Sequence, residues 1–109
     1  MEEIFALQSG ITVESYPYNN LTGILIIGSD SNGNPFELYL DKEKIEILIL
    51  QMSEEYKSNT SNVVALSRGV TSNKERSFLH LSGFDSKNRV FQLFLDNDKL
   101  QSLLEFILK

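Results

Sequence analysis

Shifted by 55 positions, this 109-residue chain aligns with itself without a gap: Gly28 falls on Gly83, Asp30 on Asp85, Ser31 on Ser86, Phe36 on Phe91, Leu38 on Leu93, Leu40 on Leu95, Asp41 on Asp96, Lys44 on Lys99 and Leu48 on Leu103. Nearer the start the offset becomes 59, where Ala6, Leu7, Gly10 and Thr12 fall on Ala65, Leu66, Gly69 and Thr71, so the first copy carries extra residues in the loop around 16–20. Self-similarity on this scale restricts the fold to two like units, although two copies fall short of a solenoid. A chain of this length is the size of one domain, and 41% hydrophobic residues suffice for one ordinary core. The expectation is a single domain, 1–109, made of two repeats, about 4–57 and 63–109.

Each copy reads in the same order. A short β-rich segment (4–7 or 63–66) is followed by a glycine break and a longer apolar segment (23–28 or 77–83). A turn comes next, concentrated in Asp30-Ser31-Asn32-Gly33-Asn34, with Asn88 standing where the first copy has Gly33. Phe36, Leu38 and Leu40, like Phe91, Leu93 and Leu95, then alternate with other residues at the period of a half-buried strand. Asp41 and Asp96 are placed to cap helices, whose apolar stripes are Ile45, Leu48, Ile49, Met52 and Tyr56 in one copy and Leu100, Leu103, Leu104 and Ile107 in the other. The fold class expected is α+β: a tandem pseudo-twofold repeat of β-β-β-α units, forming an antiparallel sheet of about six strands with two helices packed on one face.

Composition excludes more chemistry than it suggests. Cysteine is absent, which removes disulfides, thiolate nucleophiles and cysteine-dependent zinc sites. A lone His80 sits between Leu79 and Leu81 on a strand, there is no Gly-x-Ser-x-Gly elbow, and no glycine-rich phosphate cradle or Walker lysine is present. Asp30, Asn32 and Asn34 share the first spacings of a calcium loop, but Pro35 stands where that loop must turn on glycine. No enzyme activity, metal or cofactor is therefore expected. Apolar runs are far shorter than the roughly 20 residues that cross a bilayer, and the opening Met1-Glu2-Glu3 lacks the pattern of a secretory signal. A cytoplasmic protein without a membrane role is the expectation.

The net charge of −5 is unevenly spread, with two lysines against ten carboxylates in residues 1–55 and eight Lys or Arg against five carboxylates in residues 56–109. Pleating that sends Ile24, Ile26, Phe36, Leu38 and Leu40 to the core sends Leu25, Ile27 and Tyr39 to the other side, and helix one carries Ile47 and Leu50 outside its main stripe. Contiguous apolar surface marks a partner or a self-association face. These features point to a non-enzymatic protein-binding module, an inhibitor of the immunity, antitoxin or anti-defence type, acting on a protein partner or as a homodimer. Its partner-binding residues would be Tyr16, Tyr18, Tyr39, Glu37, Glu46, Ile47 and Leu50, with acidic charge complementing a basic partner.

Strand, turn, strand, aspartate cap and amphipathic helix, as in residues 77–109, resembles the repeat of the PUR domain and, more loosely, the unit shared by the Whirly proteins. That resemblance implies curved sheets on which single-stranded bases stack against aromatic side chains. The corresponding residues here are Phe78, Phe84 and Phe94 for stacking and Arg68, Lys74, Arg76, Lys87 and Arg89 for phosphates. The acidic balance places this nucleic-acid reading second, since the first copy has no basic residue before Lys42.

Overall fold

Eight strands and two helices form in the computed structural model, which describes residues 4–18, 21–53, 63–67 and 69–108, with the side chains at 18 and 21 outside the description. In order they are β1 (Ile4–Gln8), β2 (Ile11–Tyr18), β3 (Leu21–Ser29), β4 (Pro35–Asp41), α1 (Lys42–Met52), β5 (Val63–Ser67), β6 (Val70–Glu75), β7 (Phe78–Phe84), β8 (Val90–Asp96) and α2 (Asn97–Ile107). The strands make two antiparallel four-stranded meanders, β1-β2-β3-β4 and β5-β6-β7-β8. The fold is α+β, and the single sheet of about six strands is corrected to two sheets of four. The extra strand in each half is β2 or β6. Pro17 interrupts the first, and Val70-Thr-Ser-Asn-Lys-Glu75 is too polar to show an alternating apolar face, so neither stands out by pattern alone.

The strand registers of the two halves correspond. Ile4 pairs with Glu14 as Val63 pairs with Asn73, Gly28 with Phe36 as Gly83 with Phe91, and each first strand shifts register at the matching place, between Ala6 and Gln8 or Ala65 and Ser67. Asp41 and Asp96 cap the helices in extended conformation, each accepting from the amide three residues on, Lys44 or Lys99, at 2.9 Å. The same lysines return their ammonium groups to the caps, at 3.2 and 3.0 Å. For Asp96 the Lys99 amide and ammonium together hold the carboxyl below its ordinary pKa.

The helices exchange sheets. Phe106 of α2 packs against Phe5 of β1, ring centroids 5.8 Å apart, and α2 also touches β3. In return α1 lies on β6 and β7, where the Gln51 amide donates to the Ser72 carbonyl at 3.0 Å. The expectation of two helices side by side on one face of one sheet is corrected accordingly. One core results, lined by Val13, Ile24, Ile26, Leu38 and Leu40 from the first sheet, Leu79, Leu81, Leu93 and Leu95 from the second, and Ile45, Leu48, Leu100 and Leu103 from the helices. Of the anticipated helical stripe, Ile49 and Met52 are only partly buried, Gln51 takes a fully buried place, and Tyr56 lies outside the described residues. No helix among the described residues is long and apolar enough to cross a membrane.

The halves meet where the edge strands β4 and β8 approach, and they join mainly through side chains, with one backbone bond and no continuous ladder. Asp30 Oδ1 accepts from the amides of Asn32 and Asn34 within its own turn, while its Oδ2 accepts from the Gln92 amide of β8 at 3.2 Å. Asp85 repeats this, with Oδ1 accepting from Lys87 and Arg89 and Oδ2 from the Glu37 amide of β4 at 2.9 Å. Ser86 completes the second clasp by donating its amide and hydroxyl to the Glu37 carbonyl. Burial would raise the pKa of both aspartates, but the amides outweigh it: Asn34, Asn32 and Gln92 for Asp30, and Arg89, Glu37 and Lys87 for Asp85, where the Arg89 guanidinium assists. Both carboxyls are thereby held below the ordinary value. The turns themselves need a left-handed residue, supplied by Gly33 at φ 79° and Asn88 at φ 62°.

Candidate functional site

Because the inner faces of both sheets are consumed by the core, the surfaces available for recognition among the described residues are the turns and the outward-facing residues of the strands and helices. On the first sheet, cross-strand pairing sets Ile4, Glu14, Leu25 and Tyr39 in one row and Tyr16, Gly23 and Asp41 in the next. Gly23 has no side chain, and the Tyr39 ring fills the space above it; a Cβ there would collide with the ring. Tyr16 meets Tyr39 edge-on, centroids 5.6 Å apart, and is itself 38% exposed. The tyrosine pair, with half-buried Leu25 and 67%-exposed Ile4, forms an amphipathic patch that includes the Glu14 carboxylate.

The other partner residues fall elsewhere. Glu37 lies one row further along the same face, where its carboxylate meets Lys87 at 3.2 Å. Glu46, Ile47 and Leu50 are exposed on α1, whose opposite side, Ile45, Leu48 and Gln51, is in the core. Since α1 sits on the second sheet, its outer stripe is a surface separate from the tyrosine patch. The structure thus brings Tyr16 and Tyr39 together and divides the remainder. The Tyr18 side chain lies outside the described residues.

The second sheet carries a different cluster. Phe78 meets Phe94 edge-on at 5.5 Å, and His80 stacks on Phe94 at 4.6 Å with the rings 6° from parallel. His80 Nε2 is 3.1 Å from Gln92 Oε1, so the imidazole is held flat by a neighbour on the adjoining strand. The strand period already put His80 on the same outer face as Phe78 and Phe94, although it was not counted among the stacking residues; the pairing of β7 with β8 sets it directly beside Phe94. Phe84 does not join them, because six residues of strand, about 20 Å, separate it from Phe78.

Most of the candidate phosphate ligands are already engaged. Arg89 bonds Asp85 through Nε at 3.1 Å and through a terminal guanidinium nitrogen at 3.0 Å, Lys87 pairs with Glu37, and Lys74 Nζ reaches the Ser53 carbonyl at 3.5 Å. Arg76 is exposed in the β6–β7 turn with φ 50°. Arg68 lies outside the described residues.

Between the halves, Leu38, Tyr39 and Lys44 face Ser67, Val70, Phe84, Asp85 and Ser86 across a cleft of about 210 Å³. That is below the roughly 300 Å³ at which small-molecule sites begin, and its one buried carboxylate, Asp85, is taken up by the clasp. Among the described residues no three His, Asp or Glu side chains converge as metal ligands would. No family model, no curated protein and no solved structure matches this chain.

Proposed function

We propose that this protein is a non-enzymatic binding module that blocks a protein partner, in the manner of immunity, antitoxin or anti-defence inhibitors, through the outer face of its first sheet. The observation that carries this reading is the Tyr16–Tyr39 pair, with the Tyr39 ring seated over Gly23. The exposed Tyr16 ring, braced edge-on by half-buried Tyr39 beside Leu25, presents apolar contact area at little entropic cost, and truncation of such anchors typically costs a complex about 2 kcal/mol or more. Glu14 in the same row and the acidic excess of residues 1–55 favour a basic partner face, chiefly through the rate and orientation of encounter. Capture from the native source at physiological salt after nuclease treatment tests the proposal. A basic protein retained by the native chain and lost with Tyr39→Ala or Tyr16→Ala supports it; retention unaffected by both changes argues against it.

A second reading, a binder of single-stranded nucleic acid, draws on the His80–Phe94–Phe78 cluster, which offers aromatic rings flanked by the polar side chains of Asn73 and Gln92. It ranks below the first because Lys87 and Arg89 are held in ion pairs. It predicts oligonucleotide affinity that falls steeply with salt and is lost in Phe94→Ala.

A further inference from the structure

Two halves with matching strand registers and exchanged helices face a pairing problem. Each half carries a helix of 11 residues and a sheet of four strands in the same order, so something must select the observed pairing over the alternative ones, within a molecule or between copies. The two helix–sheet contacts differ at corresponding positions. Where α2 covers the first sheet the residues are Phe106, Phe5 and buried Val13, all apolar. Where α1 covers the second sheet the positions matching Phe106 and Val13 are Gln51 and Ser72, both 0% exposed, with the Gln51 amide donating to the Ser72 backbone carbonyl at 3.0 Å. Val64 stands where the first sheet has Phe5.

We infer that Gln51 over Ser72 is a pairing selector, which directs α1 to a second sheet and rejects its placement on the first sheet of another copy of the chain. The small side chain at 72 leaves room for the amide to reach the strand carbonyl. If α1 instead covered the first sheet of another copy, Val13 and Phe5 would fill that room and bury the amide among apolar groups with its hydrogen bond unmade. The complementary mispair, α2 on a second sheet, would set Phe106 over the smaller Ser72 and Val64 and leave space unfilled. A buried polar group that fixes which elements pair is a known use of such residues.

The test is refolding of the full chain from denaturant over a range of protein concentrations, followed by size-exclusion chromatography with light scattering. Donor- and acceptor-labelled chains mixed before unfolding, or only after refolding, distinguish exchanged dimers from association of folded copies. The native protein is expected to return as one species. Gln51→Met, close in length and flexibility, is expected to raise the exchanged fraction about tenfold. Val13→Ser, which opens the first sheet to the amide, is expected to do the same while leaving the Gln51–Ser72 contact in place. Ser72→Ala keeps both the carbonyl and the small side chain and is expected to behave as the native protein. Should neither Gln51→Met nor Val13→Ser increase exchange, or should Ser72→Ala increase it as much, the selector role is overturned.

Discussion

Phe36 and Phe91 stack across the junction of the two halves with ring centroids 5.3 Å apart and planes 11° from parallel. They occupy matching positions, second in β4 and second in β8, and each is almost wholly buried. The pair sits between the two aspartate clasps, so packing and hydrogen bonding secure the same seam.

Truncating either ring should therefore destabilise the whole domain and not one half. Phe36→Ala or Phe91→Ala is expected to cost about 3–5 kcal/mol, and the double variant less than the sum, because the partner ring has already lost its neighbour. Urea unfolding followed by tryptophan-independent circular dichroism checks this, and two separate transitions in a single variant would contradict a shared core.

Acid should loosen the same seam. Asp30 and Asp85 have pKa values lowered by folding, so their stabilising contribution is present above the carboxylate pKa of the unfolded chain, about 4, and is lost as pH falls through the lower folded value. Asp30→Asn and Asp85→Asn are each expected to flatten the fall in unfolding free energy below about pH 5. Stability measured at neutral pH should drop by about 1–3 kcal/mol for each. Equal slopes in native and variant proteins would remove the clasps as its source.

At Gly28 and Gly83 the backbone has φ of 151° and 133°, and an added Cβ would run into the carbonyl of Gly10 or Gly69. Those carbonyls also accept the amides of Ser29 and Phe84, at 3.1 and 2.8 Å. Gly28→Ala and Gly83→Ala are expected to lower the thermal midpoint strongly, since strain and a displaced hydrogen bond add. Gly33→Asn should be mild by comparison, because Asn88 already fills the equivalent turn position at φ 62°.

The helix caps offer a smaller, cleaner measurement. Replacing Asp41 or Asp96 by Ala is expected to cost about 0.5–2 kcal/mol each, read as a lower midpoint of the same single thermal transition for helical and sheet signal. Salt should change the effect little, as the dominant contact is to a backbone amide and not to the half-exposed lysine.

Much of this was legible in the chain itself. The aspartate caps, the turn that accepts either glycine or asparagine, and the inward placement of Phe36, Leu38, Leu40, Phe91, Leu93 and Leu95 all follow from local spacing, because each depends on residues within one turn or one strand. The partition of Leu25 and Tyr39 to the outer face follows from the two-residue period of the same strand. By contrast β6 is polar after Val70, and only its neighbours β5 and β7 show that it is a strand.

Local pattern carries no information about what packs on what. The exchange of helices between sheets, the carboxylates that reach from one half to the amides of the other, and the seating of Tyr16 beside Tyr39 all join residues distant in the chain. Each was decided by the tertiary structure, because two units with the same periodicity can bury the same apolar area in more than one arrangement. Choosing among those arrangements falls to a few contacts that differ between the copies, such as Gln51 on Ser72 against Phe106 on Phe5.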